Sequence, residues 1–479
     1  MGGKRELGRE GERERGREMA GKQLKIILVH GLGHGAWSWY KVATSLRADG
    51  HSVLTLDLAA AGTSKYRMAE DVLTFADYSK PLMEAIAELS EGQKAVLIGH
   101  SFGGQTLALA MDTFPHKIAV AIFVAAYMPD TVSPPSSVFD KLVEYFPDAA
   151  AWMDVEFKEV RVSGREQPFH TMLFGPQFLR EKLYQLCAPE SGAPLNYRRA
   201  SLKLPSKEPK EEMSKVALRV ILIHGSSHGA WCWYKVVAEL RSRGYNSVTA
   251  IDLAASGVDP RRIPEDVRSF EDYNRPLMEL MSTVPDGEKV ILVGHSFGGL
   301  SLAFAMDAFP EKIAAAIFLT ALLPDTLHHP FYVIDRQLQE LSKRKIEPEM
   351  KPVVIPGRSE PLITVCFHSN VLATYFYQNC SFEDLTLASM MVRPTSTFSE
   401  DLSNSSPFTK EGFGSVDKIY IICNEDALII EDYVRWMIQN NGNVKETIEI
   451  KGADHMPMLS KPRELCQHLA SIVDKYSIL

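Results

Sequence analysis

The sequence predicts an α/β fold that occurs twice along the chain, with a mostly parallel sheet and helices on both faces. Short apolar runs such as IILVHG, VILVGHS, AAIFL and KIYIIC are rich in Val and Ile. They lack the period-2 polarity of a half-exposed strand, so they fit strands that are buried on both faces. They alternate with helical patterns such as KVVAELRSRG and FEDYNRPLMELM, which favours a parallel sheet.

A long internal repeat organises the chain. IILVHGLGHGAWSWYKV, from Ile26, recurs as VILIHGSSHGAWCWYKV, from Val220, and VLIGHSFGG recurs as ILVGHSFGG. The last match pairs KLYQLCAPE with TYFYQNCSFED, and nothing in the first copy corresponds to residues 385–479. The simplest account is a gene fusion in which the first copy is truncated.

Composition changes along the chain predict the domain boundaries. Residues 1–23 alternate Arg, Glu and Gly and are expected to form a disordered charged tail. The truncated copy spans residues 24–190, and a segment rich in Pro, Ser and charge forms a linker at 191–215. The complete copy spans 216–479. Within it, an aromatic and Met-rich stretch at about 326–407 predicts a cap over the site.

Charge and cysteine content exclude several classes of protein. A net charge of -8 with a pI near 6 provides no extended positive field, so neither nucleic acid nor a membrane is an expected partner. The six cysteines form no C-x-x-C pair, which argues against a structural zinc site or a disulfide framework. The N-terminal residues form neither a signal peptide nor a membrane span. A cytoplasmic protein is therefore expected.

The strongest local signal is GHSFG, Gly294 to Gly298, which follows a strand-like run and precedes a helix-like one. A serine on such a sharp strand-to-helix turn projects its hydroxyl clear of the sheet, and glycines permit the backbone of the turn. Ser296 is therefore the expected nucleophile. Taken by itself, this motif could also be a glycine-rich structural turn whose serine has no catalytic role.

A serine hydroxyl needs a base and a third group that orients the base. In serine hydrolases of this fold class the chain order is Ser, then Asp or Glu, then His. Asp426 follows the strand-like run KIYIIC and His455 follows ETIEI, so both are expected at the same sheet edge as Ser296. Position by itself leaves Glu425, Asp432 and Asp454 as competing carboxylates, and His328, His329 and His368 as less favoured histidines.

The reaction also needs two backbone donors for the oxyanion. We expect the N–H groups of Phe297, which follows the nucleophile, and of Ser226, in the loop HGSSHGAW after the first strand. The substrate pocket is expected to include Gly225, His295, Leu322 and Met456.

A nucleotide cofactor is not expected. The first copy contains GLGHGA, which fits the dinucleotide fingerprint, with Asp57 after the next strand. In the second copy the same loop is GSSHGA, without the glycine that lets the backbone approach a pyrophosphate. No metal or organic cofactor is implied.

These motifs resemble a known family. HGSSHGAWCWYKVV, DLAASG, GHSFGG, SFEDLTLASMMVRP and GADHMPMLSKP are similar to the plant methylesterase and hydroxynitrile lyase family of α/β-hydrolases, which includes the salicylic acid-binding protein type of esterase. The resemblance implies the α/β-hydrolase fold with a cap, and it places Ser296, Asp426 and His455 on the family's catalytic triad. It covers the second copy and about residues 24–190 of the first.

The resemblance also separates two chemistries. The family's lyases carry Thr after the first-strand His and Lys after the catalytic His, whereas this chain has Gly225 and Met456, as the esterases do. The expected substrate is therefore a small methyl ester, of the methyl salicylate, methyl jasmonate or methyl indole-3-acetate class. The alternatives are a hydroxynitrile lyase and a protein that binds a small ligand without turnover.

The first copy departs from the family pattern. It keeps the elbow serine, Ser101, but has no counterpart of Asp426 or His455, so we expect it to be catalytically silent. Without the last strands and helix it should expose a sheet edge. The resemblance to a family that forms dimers suggests either a homodimer or packing of the two copies within one chain.

Overall fold

The computed structural model describes residues 25–145, 152–162, 168–187 and 218–478. The predicted tail, residues 1–23, and the predicted linker, residues 191–215, lie outside the described residues. The chain divides into two compact units, Met1–Asp148 and Ala149–Leu479, and each contains a parallel sheet. The predicted α/β fold class is therefore confirmed.

The first unit is built on a four-stranded parallel sheet. Its strands are β1 (Lys25–Val29), β2 (Ser52–Leu56), β3 (Ala95–His100) and β4 (Ile118–Val124), in the order β2-β1-β3-β4. Its helices are Tyr40–Ala48, Phe75–Ala87, Gly103–Thr113 and Ser137–Tyr145, with short 3₁₀ helices at Ala36–Trp39 and Pro115–Lys117. A reciprocal cap between Thr74 and Asp77 starts the second of these helices.

Strand β4 forms one edge of this sheet. The central strand β1 lies between two neighbours, and Ile27 and Val29 are fully buried on it. On β4, in contrast, Val120, Ile122 and Val124 are 41 to 51% exposed. The edge strand β4 therefore has partly exposed apolar side chains.

The described residues of the second unit form three sheets. In chain order its strands are β5 (Glu156–Val160), β6 (Phe169–Leu173), β7 (Arg219–Ile223), β8 (Val248–Ile251), β9 (Val290–His295), β10 (Ile313–Leu319), β11 (Glu349–Val353), β12 (Leu362–Cys366), β13 (Thr395–Ser396), β14 (Lys418–Cys423) and β15 (Val444–Ile450). The main sheet has six parallel strands in the order β15-β14-β10-β9-β7-β8. The antiparallel pair β5-β6 forms a separate sheet.

Helices accompany the main sheet of the second unit. They span Tyr234–Ser242, Phe270–Ser282, Gly298–Ala308, Glu431–Asn441 and Pro462–Ser477, with shorter turns at Ala230–Trp233, Pro310–Lys312 and Pro457–Ser460. After β6 the chain forms the short helical segments Pro176–Phe178 and Leu179–Leu183. Every residue of β9 and of β14 is buried, because these strands lie inside the sheet and consist largely of Val, Ile and Leu.

The segment between β10 and β14 forms a structure apart from the main sheet. Strands β11, β12 and β13 form an antiparallel sheet, and the helices of this segment span Phe331–Lys343, Ser369–Val371, Leu372–Phe376, Phe382–Met391 and Ser399–Asn404. Asp384 anchors it, since its carboxylate accepts hydrogen bonds from the Tyr234 hydroxyl and the Lys235 ammonium group. We refer to residues 326–407 as the cap.

The described residues contain no helix that is both long and apolar enough to cross a membrane.

Candidate active site

Ser296 lies on a tight turn between β9 and the helix Gly298–Ala308. Its φ of 53° falls in the left-handed region, which serine rarely adopts, and such backbone strain is concentrated at functional sites. Neighbouring glycines make room for the turn: a Cβ on Gly298 would lie 2.6 Å from the carbonyl oxygen of His224. The sequence therefore builds a nucleophile elbow here, with a helix beginning directly beyond the serine.

The three residues predicted to form a triad meet in one place. His455 Nε2 lies 3.1 Å from Ser296 Oγ, and His455 Nδ1 lies 2.7 Å from Asp426 Oδ2. Since a carboxylate can only accept, Nδ1 carries the proton in the neutral ring and Nε2 is free to accept from the serine hydroxyl. The side chains of His455 and Asp426 are fully buried. This geometry is that of an activated nucleophile.

Buried donors surround the Asp426 carboxylate. Its Oδ1 accepts from the N–H groups of Leu428 and Ile429, each at 2.8 Å, and its Oδ2 accepts from the Thr320 hydroxyl as well as from His455. Hydrogen bonds to the ionised form stabilise a buried carboxylate. Thr320 has a φ of 38°, an unfavourable conformation for a β-branched residue. Sequence inspection did not identify Thr320 as part of the site.

The competing carboxylates have other partners. Asp454 accepts from the Met456 N–H and the Ser460 hydroxyl through Oδ1, and from the Asn379 N–H through Oδ2. Glu425 accepts from the Asn379 side-chain amide. Asp432 lies in the first turn of the helix Glu431–Asn441.

The alternative histidines lie near the surface. His368 pairs with Glu349 and its side chain is 66% exposed. His328 contacts Asp325 and stacks on Tyr332, and His329 is exposed. Of these histidines and His455, the structure brings only His455 to Ser296.

The two expected oxyanion donors lie beside the nucleophile. Ser226 and Phe297 line the same cavity as Ser296. Within the part of the chain that the structure describes, neither N–H group has a hydrogen-bond acceptor. The glycine at position 225 allows the loop that contains Ser226 to approach Ser296 closely, because a Cβ at this position would lie 2.7 Å from the Ser296 Cβ. Free amides beside a serine nucleophile can stabilise an oxyanion.

A buried histidine holds this loop in place. His228 Nδ1 donates to the Ser226 carbonyl oxygen and Nε2 accepts from the Tyr377 hydroxyl of the cap, each at 2.7 Å. Burial lowers the pKa of His228 to about 3, so the ring is neutral, as this pair of bonds requires. His224 is held in a similar way between the Gly225 carbonyl oxygen and the Leu253 N–H, and burial lowers its pKa to about 4.

The four residues predicted to line the pocket have different positions. Leu322 lines the cavity. His295 is fully buried, its Nε2 donates to the His455 carbonyl oxygen at 2.7 Å, and burial holds the pKa of His295 well below its usual value. Met456, the residue after His455, is fully buried, and its N–H donates to Asp454. Gly225, His295 and Met456 are not among the residues that line the cavity.

The cavity above Ser296 has a volume of about 90 Å³. Its wall is mainly apolar, and the cap supplies most of that wall through Ile334, Leu338, Leu341, Met350, Val365 and Phe367. Few polar groups reach it besides the nucleophile and the oxyanion loop. Such a cavity fits a small ligand with one reactive polar group and an apolar remainder.

The first unit keeps the elbow but not the rest of the site. Ser101 has a φ of 53°, identical to that of Ser296. Ala125, with a φ of 43°, occupies the repeat position of Thr320. The His30 ring bonds instead to the Gly31 carbonyl oxygen and the Leu58 N–H, and the first copy has no counterpart of His455 or Asp426 in the sequence.

Comparisons with known proteins agree with this fold. A model described as "Alpha/beta hydrolase family" matches residues 220–468, and one described as "alpha/beta hydrolase fold" matches residues 26–217. Salicylic acid-binding protein 2 of Nicotiana tabacum is 48% identical over 258 residues, which are 54% of this chain and 97% of that protein. Methylesterase 3 of Arabidopsis thaliana is 47% identical over 54% of this chain and 97% of that protein.

A solved structure of polyneuridine aldehyde esterase has a TM-score of 0.51 and 40% identity, covering 53% of this chain and 99% of that one. The resemblance deduced from the motifs is thus confirmed at the level of sequence and of fold. The chain belongs to the alpha/beta hydrolase family, together with salicylic acid-binding protein 2 and the plant methylesterases.

Proposed function

We propose that the second unit hydrolyses small methyl esters through Ser296, His455 and Asp426. The observation that supports this proposal is a pair of hydrogen bonds, one between Ser296 Oγ and His455 Nε2 and one between His455 Nδ1 and Asp426. Ser296 lines a cavity whose wall is mainly apolar. The names of its relatives, methylesterase and esterase, support a carboxylic ester as the substrate.

The geometry suggests the course of the first half-reaction. Ser296 Oγ attacks the ester carbonyl carbon while His455 Nε2 accepts the hydroxyl proton, and the resulting imidazolium is stabilised by Asp426. The N–H groups of Ser226 and Phe297 bind the oxyanion. As the intermediate collapses, the C–O bond to methoxide breaks, and His455 donates its proton so that methanol leaves.

The second half-reaction releases the acid. A water molecule attacks the acyl carbon, its proton passes to His455, and collapse of the second intermediate returns that proton to Ser296 Oγ. The carboxylic acid then leaves the cavity. The apolar cap wall provides the surface against which the acyl group of the ester would pack during both steps.

The residues beside the triad favour an ester over a cyanohydrin. Met456 is an apolar side chain that follows the catalytic histidine, and it offers no positive charge to a departing cyanide. Gly225 has no side chain that could bind a substrate hydroxyl. Methyl salicylate, methyl jasmonate and methyl indole-3-acetate are the candidate substrates.

We further propose that the first unit does not turn over these esters, since the first copy has no counterpart of Asp426 or His455. Removing the base from a triad costs about 10⁴-fold or more in rate.

The test compares the purified full-length protein with Ser296→Ala and Ser101→Ala on a panel of methyl esters and on mandelonitrile. Ester hydrolysis should fall by about 10⁴-fold or more in Ser296→Ala and remain unchanged in Ser101→Ala. Hydrolysis that survives Ser296→Ala would contradict the proposal. Cyanide release from mandelonitrile would indicate a lyase, and ligand binding without turnover would indicate a receptor.

A further inference from the structure

Gln337 is a buried polar residue in the wall of the cavity above Ser296. It lies on the helix Phe331–Lys343 of the cap and is 7% exposed. Its Nε2 donates to the Leu428 carbonyl oxygen at 3.0 Å. A carbonyl oxygen can only accept, so this bond fixes which end of the amide is the nitrogen. The other end, Oε1, has no hydrogen-bond partner among the described residues.

An acceptor buried without a donor is unfavourable and requires an explanation. The neighbouring residues of the wall, including Ile334, Leu338 and Leu341, have no donor to offer. The remaining polar residues of the wall are Ser226, Ser296, Ser396 and Thr397, and none of them bonds to Oε1. A donor that enters the cavity on a ligand would satisfy Oε1.

We propose that Gln337 determines substrate specificity, and that the preferred esters carry a hydroxyl or N–H donor on the part of the molecule that occupies the cavity. The donor hydrogen-bonds to Gln337 Oε1 while the ester carbonyl lies at Ser296. A site built to bind such a donor discriminates against analogues that lack it, because its own acceptor is then left unpaired. This inference rests on the proposed esterase function and narrows its substrate class.

The experiment uses methyl 3-phenylpropanoate, its ortho-, meta- and para-hydroxyphenyl derivatives, and the corresponding methoxy esters, which cannot donate. In the wild-type protein, kcat/KM for at least one hydroxy ester should exceed that for the parent ester by about 10-fold. The matching methoxy ester should show no such gain. If no hydroxy ester exceeds its parent, the inference is wrong.

Gln337→Leu removes the acceptor, and Leu142 occupies the same repeat position in the first unit. The preference for the hydroxy ester, which is the ratio of its kcat/KM to that of the parent ester, should fall about 10-fold in this variant, mainly through KM. Gln337→Met keeps the length of the side chain and should behave in the same way, so the result does not depend on one variant folding. A preference that survives in both variants would overturn the inference.

Arg344→Met is the matched control for an effect on specificity that is transmitted through the loop after Asp426. Gln337 and Arg344 both bind the loop after Asp426, since Arg344 donates to the carbonyl oxygens of Ala427 and Leu428 at 2.6 Å. Arg344 is not among the residues that line the cavity. Its substitution should affect hydroxy and parent esters equally. An equal loss of preference in Arg344→Met would show that Gln337 acts through the loop and would refute direct recognition.

Binding separates this inference from the proposed function. The same esters are titrated against Ser296→Ala and against Ser296→Ala combined with Gln337→Leu. Tighter binding of a hydroxy ester that disappears in the double variant supports recognition by Gln337, whether or not the wild-type protein turns any ester over. Equal binding of hydroxy and parent esters by Ser296→Ala would overturn it.

Discussion

The Thr320 hydroxyl donates a hydrogen bond to the same oxygen of Asp426, Oδ2, that accepts from His455. Thr320 is fully buried, and it follows β10 in a left-handed conformation that a β-branched residue adopts only at a cost. The first unit has Ala125 at the same position of the repeat, in a similar conformation. The hydroxyl is thus present in the unit where Ser296, His455 and Asp426 are joined by hydrogen bonds, and the residue at the equivalent position of the other unit has no hydroxyl.

Thr320→Val keeps the shape of the side chain and removes this hydroxyl. We expect kcat/KM for methyl esters to fall by about 10-fold, because a buried carboxylate loses a donor that fixes its orientation toward His455. Thr320→Ser, which restores the hydroxyl, should recover most of the activity. The reciprocal change in the first unit, Ala125→Thr, should leave ester hydrolysis unaltered. Full activity of Thr320→Val would show that Asp426 does not need this bond.

Gly225→Ala should impair catalysis. The added Cβ would lie 2.7 Å from the Ser296 Cβ and 3.0 Å from His295 Nδ1, so the nucleophile or the oxyanion loop must move. A displacement of about 1 Å at a reaction centre can cost about 100-fold in kcat. Gly31 is the matched control, since a Cβ there would lie 2.8 Å from the Ser101 Cβ. Steady-state kinetics should show no effect of Gly31→Ala, and a similar loss in both variants would contradict the assignment of activity to the second unit.

The stability of the second unit should fall as the pH falls below about 6.5. Burial lowers the pKa of His228 to about 3 and that of His224 to about 4. Both rings stay neutral in the folded protein at pH values where the unfolded chain would bind a proton. Their contribution to stability is therefore fully present above the unfolded pKa and is lost as the pH falls toward the folded value.

His228→Gln removes one of these titrating groups. Urea denaturation between pH 4.5 and 6.5 should show that the free energy of unfolding depends less steeply on pH, by about 1.4 kcal/mol per pH unit where the unfolded histidine is charged. An unchanged slope in the variant would mean that His228 is not kept neutral by the fold.

Ile317 and Ile122 occupy equivalent positions on β10 and β4 but differ in environment. Ile317 is fully buried on a strand with neighbours on both sides, whereas Ile122 is 42% exposed on an edge strand. Ile317→Ala should therefore destabilise the protein by about 3 kcal/mol, while Ile122→Ala should cost less than about 1 kcal/mol. Denaturant titrations of the two variants measure the difference. Equal costs would imply that β4 is covered in solution.

The sequence was sufficient to predict the fold class and the three triad positions that the structure brings together. Apolar runs without alternation identified the strands. Ser296, Asp426 and His455 each follow a strand-like run, which predicted that all three lie at one edge of the sheet. Parallel strands make this inference sound, because residues just beyond their carboxyl ends share an edge whatever their separation along the chain. All three carboxylates Glu425, Asp426 and Asp454 lie in loops after strands. Asp426 was preferred for its spacing from the preceding strand, and the family resemblance strengthened that preference.

Only the tertiary structure decided which side chains support those three residues. No sequence pattern indicated the bonding partners of Thr320, His228, Tyr377, Arg344 and Gln337, although His228 and Tyr377 lie within repeated motifs. Their roles arise from contacts between groups that are 83 to 149 residues apart in the chain. Local sequence patterns record backbone conformation and burial, whereas a hydrogen bond between distant side chains exists only once the sheet, the cap and the loops have packed together.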